Sequence, residues 1–195
     1  KTEADESIFV DVAVSAVGTD GALDNLKELD GKDFTAVRAE AEDLWEKELG
    51  KYELDSDDKV LRETFYTSVY RTALHPFLFE DADGRFREHD GTIGRSDGFK
   101  NVTTFSLWDT YRAFHPLLNL VNKPLQADIA NSMLAHFDKS TEKMLPIWSF
   151  YGGETWCMIG YHACSVLADM MLKGVQGFDY ERAFQAMKTT ATNPH

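Results

Sequence analysis

Phe105-Ser106-Leu107-Trp108-Asp109-Thr110-Tyr111-Arg112-Ala113-Phe114-His115-Pro116-Leu117-Leu118 is a run whose large apolar side chains return every three or four residues. That is the period of one helix face, and it predicts a helix over about 104–120. A second stretch, 154–173, is apolar nearly all round and predicts another helix. Two such segments are stable only when helices or sheets cover them. Working outward, helical periods recur at about 57–75, 124–138 and 179–191. His75-Pro76, Asn122-Lys123-Pro124, Gly152-Gly153, Gly174 and Gly177 supply the breaks between them. The expected class is mainly α, helices packed on helices.

The first fifty residues read differently. Val10, Val12, Val14 and Ala16 alternate with Phe9, Asp11, Ala13 and Ser15, the period of a strand over Ser7 to Val17. A lone strand is unstable, so its sheet is expected to be completed by residues before Lys1. Gly18-Thr19-Asp20-Gly21 ends it, and Asp33 is placed to cap a helix with the stripe Phe34, Val37, Ala41, Leu44 and Trp45. Between Pro76 and Thr103 lies a long Asp- and Gly-rich connection. In it Asp83-Gly84 is expected to turn Phe77-Leu78-Phe79 back on Arg85-Phe86-Arg87 as a hairpin, forming an ordered loop over a site. A calcium loop starting at Asp81 would need a ligand at Arg85, Gly at Phe86 and Glu at Thr92, so that reading fails.

Composition bounds the function. The 195 residues carry 33 Asp+Glu against 20 Lys+Arg, net −13. Residues 1–60 hold 18 acidic and 7 basic side chains, net −11. Such a balance argues against binding to nucleic acid or to an anionic membrane surface. No apolar run approaches the roughly 20 residues of a membrane span. With 43% hydrophobic and 12% aromatic residues the chain has enough apolar material for a core. It starts without Met and stops just after an amphipathic segment, which reads as a piece of a longer protein. Cys157 and Cys164, in one predicted helix about 10 Å apart, are expected as two buried, unbridged thiols.

Three groups of residues have chemistry to offer. Gly152-Gly153-Glu154-Thr155-Trp156-Cys157 places a carboxylate at the mouth of a predicted helix, near Trp148 and Trp156. It either complements the helix N-terminus in solvent or is desolvated by aromatic surface into a general acid. Trp108 beside Asp109 in an apolar segment is either a core position with a satisfied acid or a sugar-binding pair, the ring for a sugar face and the carboxylate for hydroxyls. His75, His115, His136 and His162 have no metal-binding spacing, and His162 is expected to be a hydrogen-bonded core residue. Phosphate-binding loops, dinucleotide fingerprints and nucleophile elbows are absent, so no nucleotide cofactor is expected.

Several runs taken together resemble the catalytic core of glycoside hydrolase family 92. They are Phe65-Tyr66-Thr67-Ser68-Val69-Tyr70, Asp83-Gly84-Arg85, Phe105 to Ala113, His115-Pro116-Leu117-Leu118, Asn131-Ser132-Met133-Leu134-Ala135-His136, Leu145-Pro146-Ile147-Trp148 and Gly153 to His162. The resemblance implies a calcium-dependent exo-α-mannosidase built from an N-terminal β-sandwich and an (α/α)6 toroid. Residues 1–18 would then be the last sandwich strand, 19–54 linker helices and 55–195 part of the toroid. It implies hydrolysis of terminal α-linked mannose with inversion, of the α-1,2 type, on glycans met in the periplasm or outside the cell. Glu154 matches the family's general acid in a Gly-Asn-Glu-Thr-like motif, with Gly153 in place of the Asn. Trp108, Asp109 and Trp156 would bind substrate. The general base and the main calcium ligands would lie beyond this chain, no metal ligand is assigned within it, and the piece alone is expected to be inactive. The rival expectation is a noncatalytic helical carbohydrate-binding module.

Overall fold

Helices form where a cap meets an apolar stripe. The computed structural model describes residues 6–194. Helices α1 (Thr19–Leu26), α2 (Phe34–Leu49) and α3 (Lys59–Thr72) come first. Asp33 and Asp58 cap the last two, accepting the amides of Ala36 at 2.8 Å and Leu61 at 3.1 Å. Four short strands follow, β1 (Phe77–Leu78), β2 (Arg85–Arg87), β3 (Ile93–Arg95) and β4 (Val102–Thr103). Then come β5 (Phe105–Ser106), α4 (Leu107–Thr110), α5 (Phe114–Val121), α6 (Lys123–Lys139), β6 (Trp148–Phe150), β7 (Gly153–Glu154), α7 (His162–Leu172) and α8 (Tyr180–Thr192). The class is mainly α, as the helical periods imply.

The core lies between α5, α6, α7 and α8. Ile129, Ala130, Met133 and Leu134 line one face of α6, and Ala163, Val166, Leu167 and Met170 line α7, all at most 1% exposed. Each fully buried Leu, Ile or Met contributes roughly 1.5–3 kcal/mol. Small Ala183 and Ala186 let α8 approach closely. A cluster of polar groups enclosed with them is paired internally. Gln126 donates to the His115 carbonyl at 2.8 Å and to Asn119 Oδ1 at 2.7 Å. His115 Nδ1 reaches Gln126 Oε1 at 3.1 Å, and Asn119 donates to Asp169 at 2.7 Å.

The two apolar segments differ from the expected helices, and the cysteines move with them. The 104–120 segment is not one helix: it divides into β5, the single turn α4 and then α5. The backbone of β5 is taken by β6 in an antiparallel ladder, Phe105 opposite Ser149 and Ser106 opposite Trp148. The 154–173 segment likewise begins as strand β7, and its helix starts only at His162. Cys157 therefore sits outside that helix and is exposed, while Cys164 is half-buried and both thiols are free.

The alternating segment 7–17 has no strand partner among the described residues, and Val10, Val12 and Val14 are 76–81% exposed. Its end is nevertheless tethered. Ser15 Oγ donates to Asp81 at 2.7 Å, Asn25 donates to the Val14 carbonyl and to Asp81, and Arg87 Nε donates to the Ala16 carbonyl. The expected 1–18 and 55–195 units extend at their ends outside the described residues.

The long connection is ordered, but its pairing differs from the predicted hairpin. β1 pairs with β4, Phe77 opposite Thr103, and β2 pairs with β3 across the turn after Glu88. Asp83-Gly84 still turns the chain, with Gly84 at φ +82 and its amide on the Asp81 carbonyl at 2.8 Å. The loop is fastened to α6: Asp128 accepts the Lys100 amide at 2.9 Å, and Ser132 Oγ the Val102 amide at 3.0 Å.

Candidate active site

Glu154 lies in the three-stranded sheet β5-β6-β7, with Trp156 just after β7 and Trp108 and Asp109 just after β5. The strand order places Glu154 opposite Ser149, and Ser149 opposite Phe105, so β5 and β7 flank β6. At roughly 4.8 Å per strand step, the outer strands run about 10 Å apart. Asp109 hangs from the β5 side, because Ser106 Oγ donates to its Oδ2. Trp148, opposite Ser106 in the ladder, donates its amide to Glu154. The sheet therefore links the two carboxylates that the sequence nominates.

Glu154 is half-buried on a strand, not at a helix mouth. Its Oε1 accepts the amides of Trp148 at 3.0 Å, Thr155 at 3.0 Å and Trp156 at 3.1 Å, while Oε2 accepts the Ile147 amide at 2.8 Å. The reach back to 147 and 148 is possible because β6 and β7 are joined by the two-residue turn Tyr151-Gly152. Both turn residues have positive φ, +48 and +81, the geometry of the favoured hairpin turn. Trp156, whose amide is one of these donors, sits at φ +55 and is 37% exposed.

Asp109 is exposed, so the reading of it as a satisfied core acid fails; the half-buried Trp108 beside it packs edge-on to His162, centroids 5.3 Å apart. His162 also stacks flat on Tyr111 at 4.3 Å. Its Nε2 is buried and has no hydrogen-bond partner, so it is held by ring contacts and not by the hydrogen bond expected from the sequence. Arg112 lies over both Trp108 and Tyr111, at 5.8 and 5.2 Å. Neither Arg112 nor Tyr111 is among the residues expected to bind substrate, although Arg112 follows Trp108 by four residues, a spacing that brings side chains together in one turn. Next to the sheet a cavity of about 410 Å³ opens between Ser106, Trp148, Phe77, Phe114, Phe150 and Tyr151. Flat rings with a few hydroxyls suit a ligand that has apolar faces and many hydroxyls, such as a sugar.

Among the described residues no three His, Cys, Asp or Glu side chains converge as a metal site. The described side chains thus offer no group of carboxylates that would by itself hold a calcium ion. Among the described residues no helix is long and apolar enough to cross a membrane.

Residues 21–195 match the glycosyl hydrolase family 92 catalytic domain. No curated protein sequence matches the chain. Among solved structures, the family GH92 α-mannosidase BT3965 of Bacteroides thetaiotaomicron, determined alone and with mannoimidazole, superposes with a TM-score of 0.91. It is 68% identical, over 93% of this chain and 24% of that one. The family GH92 inverting mannosidase BT2199 of Bacteroides thetaiotaomicron VPI-5482 gives a TM-score of 0.80 and 29% identity, over 89% of this chain and 24% of that one. The chain thus spans about a quarter of the length of each of these structures.

Proposed function

The chain belongs to glycosyl hydrolase family 92, and on that footing we propose that the protein containing it is an exo-α-mannosidase. The observation that carries this reading is the likeness to an α-mannosidase that binds mannoimidazole, at 68% identity along 93% of this chain. The substrate is a terminal α-linked mannose, of the α-1,2 type, on a glycan met in the periplasm or outside the cell. The rest of the protein supplies an N-terminal β-sandwich and the remaining helices of an (α/α)6 toroid.

In this reading Glu154 is the general acid. Oε1 is already taken by three amides, whereas Oε2 has one donor, so Oε2 is the oxygen free to carry the proton. The proton moves from Oε2 to the glycosidic oxygen as the bond from that oxygen to the anomeric carbon breaks. A water attacks that carbon from the opposite face and loses its proton to a base outside this chain, which yields mannose of inverted configuration. Trp108, Asp109 and Trp156 hold the sugar, the rings against its faces and the carboxylate against its hydroxyls. The family's calcium belongs with ligands from the remaining chain. A noncatalytic carbohydrate-binding module is the rival reading, and one observation favours it: four amides on Glu154 also suit a carboxylate that only ties a hairpin.

The test is hydrolysis of an aryl α-mannoside by the full-length protein, with the first-formed sugar followed by proton NMR and the assay repeated with a chelator. Turnover that gives β-mannose first and is lost to the chelator is the expected result. Binding without turnover establishes the module instead, and α-mannose as the first product refutes inversion.

A further inference from the structure

The Tyr151-Gly152 turn carries Glu154 two residues downstream on a strand only two residues long, Gly153–Glu154. A displacement of the turn therefore reaches the carboxylate directly. The turn is also costly to hold, because Tyr151 sits at φ +48, a region that an L residue with a bulky side chain occupies at a penalty. The Glu154 carboxylate ties the hairpin from within, and contacts from outside it add to that hold.

The long loop does so from two sides. His89, in the turn between β2 and β3, approaches the Gly152 carbonyl with Nδ1 at 3.2 Å. A carbonyl only accepts, so Nδ1 carries the proton and donates. Strand β2 backs the same turn closely: a Cβ on Gly152 would lie 2.8 Å from the Arg87 carbonyl oxygen. His89 is itself seated by three contacts. Its ring packs on that of His136 of α6, centroids 4.3 Å apart. Burial pushes His136 down to about 3, so a neutral ring supports His89. The turn around it closes through the Glu88 amide on the Thr92 carbonyl at 2.8 Å, and Asp90 pairs with Lys139 of α6 at 3.6 Å.

We infer that His89 is a positioning residue for the reaction, its Nδ1–H on the Gly152 carbonyl setting the β6–β7 turn and thereby the direction of the Glu154 carboxyl. The inference rests on the reading of Glu154 as the proton donor. Helix α6, through His136 and Lys139, thus registers the loop, and the loop registers the acid.

The experiment separates the hydrogen bond from the packing by two substitutions in the full-length enzyme. His89→Phe keeps a ring against His136 and removes the donor; His89→Asn keeps a donor near Nδ1 and removes the ring. Each is assayed on a dinitrophenyl α-mannoside, whose leaving group needs no proton, and on an α-mannobiose, whose leaving group does. Glu154→Gln is run beside them. Misplacement of a catalytic group by about 1 Å costs on the order of 10²-fold. His89→Phe should therefore lose kcat on the mannobiose by about that factor more than on the activated substrate, with KM little changed, and His89→Asn should recover most of it. Equal losses on both substrates, or recovery by Phe and not by Asn, overturn the inference, since packing alone would then explain His89. If Glu154→Gln itself shows no dependence on the leaving group, the reading of the acid fails and the inference falls with it. If Glu154→Gln shows that dependence and His89→Phe does not, only the inference falls.

Discussion

Replacing Glu154 by Gln perturbs both structure and chemistry, and the geometry lets the two parts be separated. Gln keeps one acceptor oxygen and turns the other into a donor. The cheaper arrangement leaves the oxygen on the three amides that Oε1 accepts and sets the new NH2 against the Ile147 amide. Two donors then face each other, and Ile147 is only 6% exposed, so water replaces the lost acceptor poorly. An unsatisfied buried donor costs about 1–3 kcal/mol, and the remaining bonds lose roughly 1 kcal/mol between them as the charge goes, discounted because Thr155 and Trp156 are exposed. The hairpin should then open more easily by about 2–4 kcal/mol, roughly a 30- to 1,000-fold rise in amide exchange. Hydrogen exchange of a peptide spanning residues 147–156 in the full-length protein measures this directly, with Glu154→Asp as a variant that keeps the charge. An unchanged exchange rate at Ile147 would refute the cradle. Loss of activity shared equally by all substrates then measures the structural part, and loss confined to poor leaving groups measures the proton.

Two other expectations follow from buried or strained positions. Burial pushes His115 down to about 4 and His136 to about 3, against an ordinary 6.5. Because these folded-state values lie below the unfolded one, the stability they confer is complete above about pH 6.5 and is lost as pH falls, by up to ~1.4 kcal/mol per unit for each histidine. Urea midpoints should fall between pH 6.5 and 5, above the window in which Glu142, whose carboxyl is held low mainly by the Thr141 hydroxyl, begins to titrate; midpoints flat over that range contradict the burial. Gly84→Val puts a β-branched residue at φ +82, with its Cβ 3.1 Å from Ser96 Oγ, and should cost about 1–2 kcal/mol or more. An unchanged melting temperature would show that the Asp83-Gly84 turn does not hold the loop.

The helices that the sequence reading placed well are those whose determinants are local. The predicted 57–75, 124–138 and 179–191 are found as Lys59–Thr72, Lys123–Lys139 and Tyr180–Thr192, each bounded by an Asp or Asn that accepts an amide of the first turn. The same holds for α2 behind Asp33. Glu154 and the Trp108-Asp109 pair were legible as residues with something to offer, yet their setting was not. What makes Glu154 distinctive is four backbone amides, and backbone donors leave no mark on a sequence. His89 was invisible for a related reason: it lies 63 residues from the carbonyl it approaches.

The misread segments share a cause. Phe105-Ser106 has helical spacing but pairs with residues 148 and 149, and Glu154 has a place in a helical pattern but folds back on Ile147 and Trp148. One local signal did point the right way. A continuous 104–120 helix would have put Pro116 in its interior, where it lacks a donor and clashes with the preceding turn, whereas α5 starts at Phe114 and takes Pro116 in its first turn. Three of the non-glycine residues at positive φ, Thr104, Tyr151 and Trp156, border this same sheet. Local preference is thus overridden repeatedly around one carboxylate and the turn behind it. A folded chain tolerates such strain where the surrounding contacts hold it and the resulting geometry is needed. The strained positions thus gather at the β5-β6-β7 sheet, where the proposed reading puts the acid, and a geometry held against local preference is what that role would require.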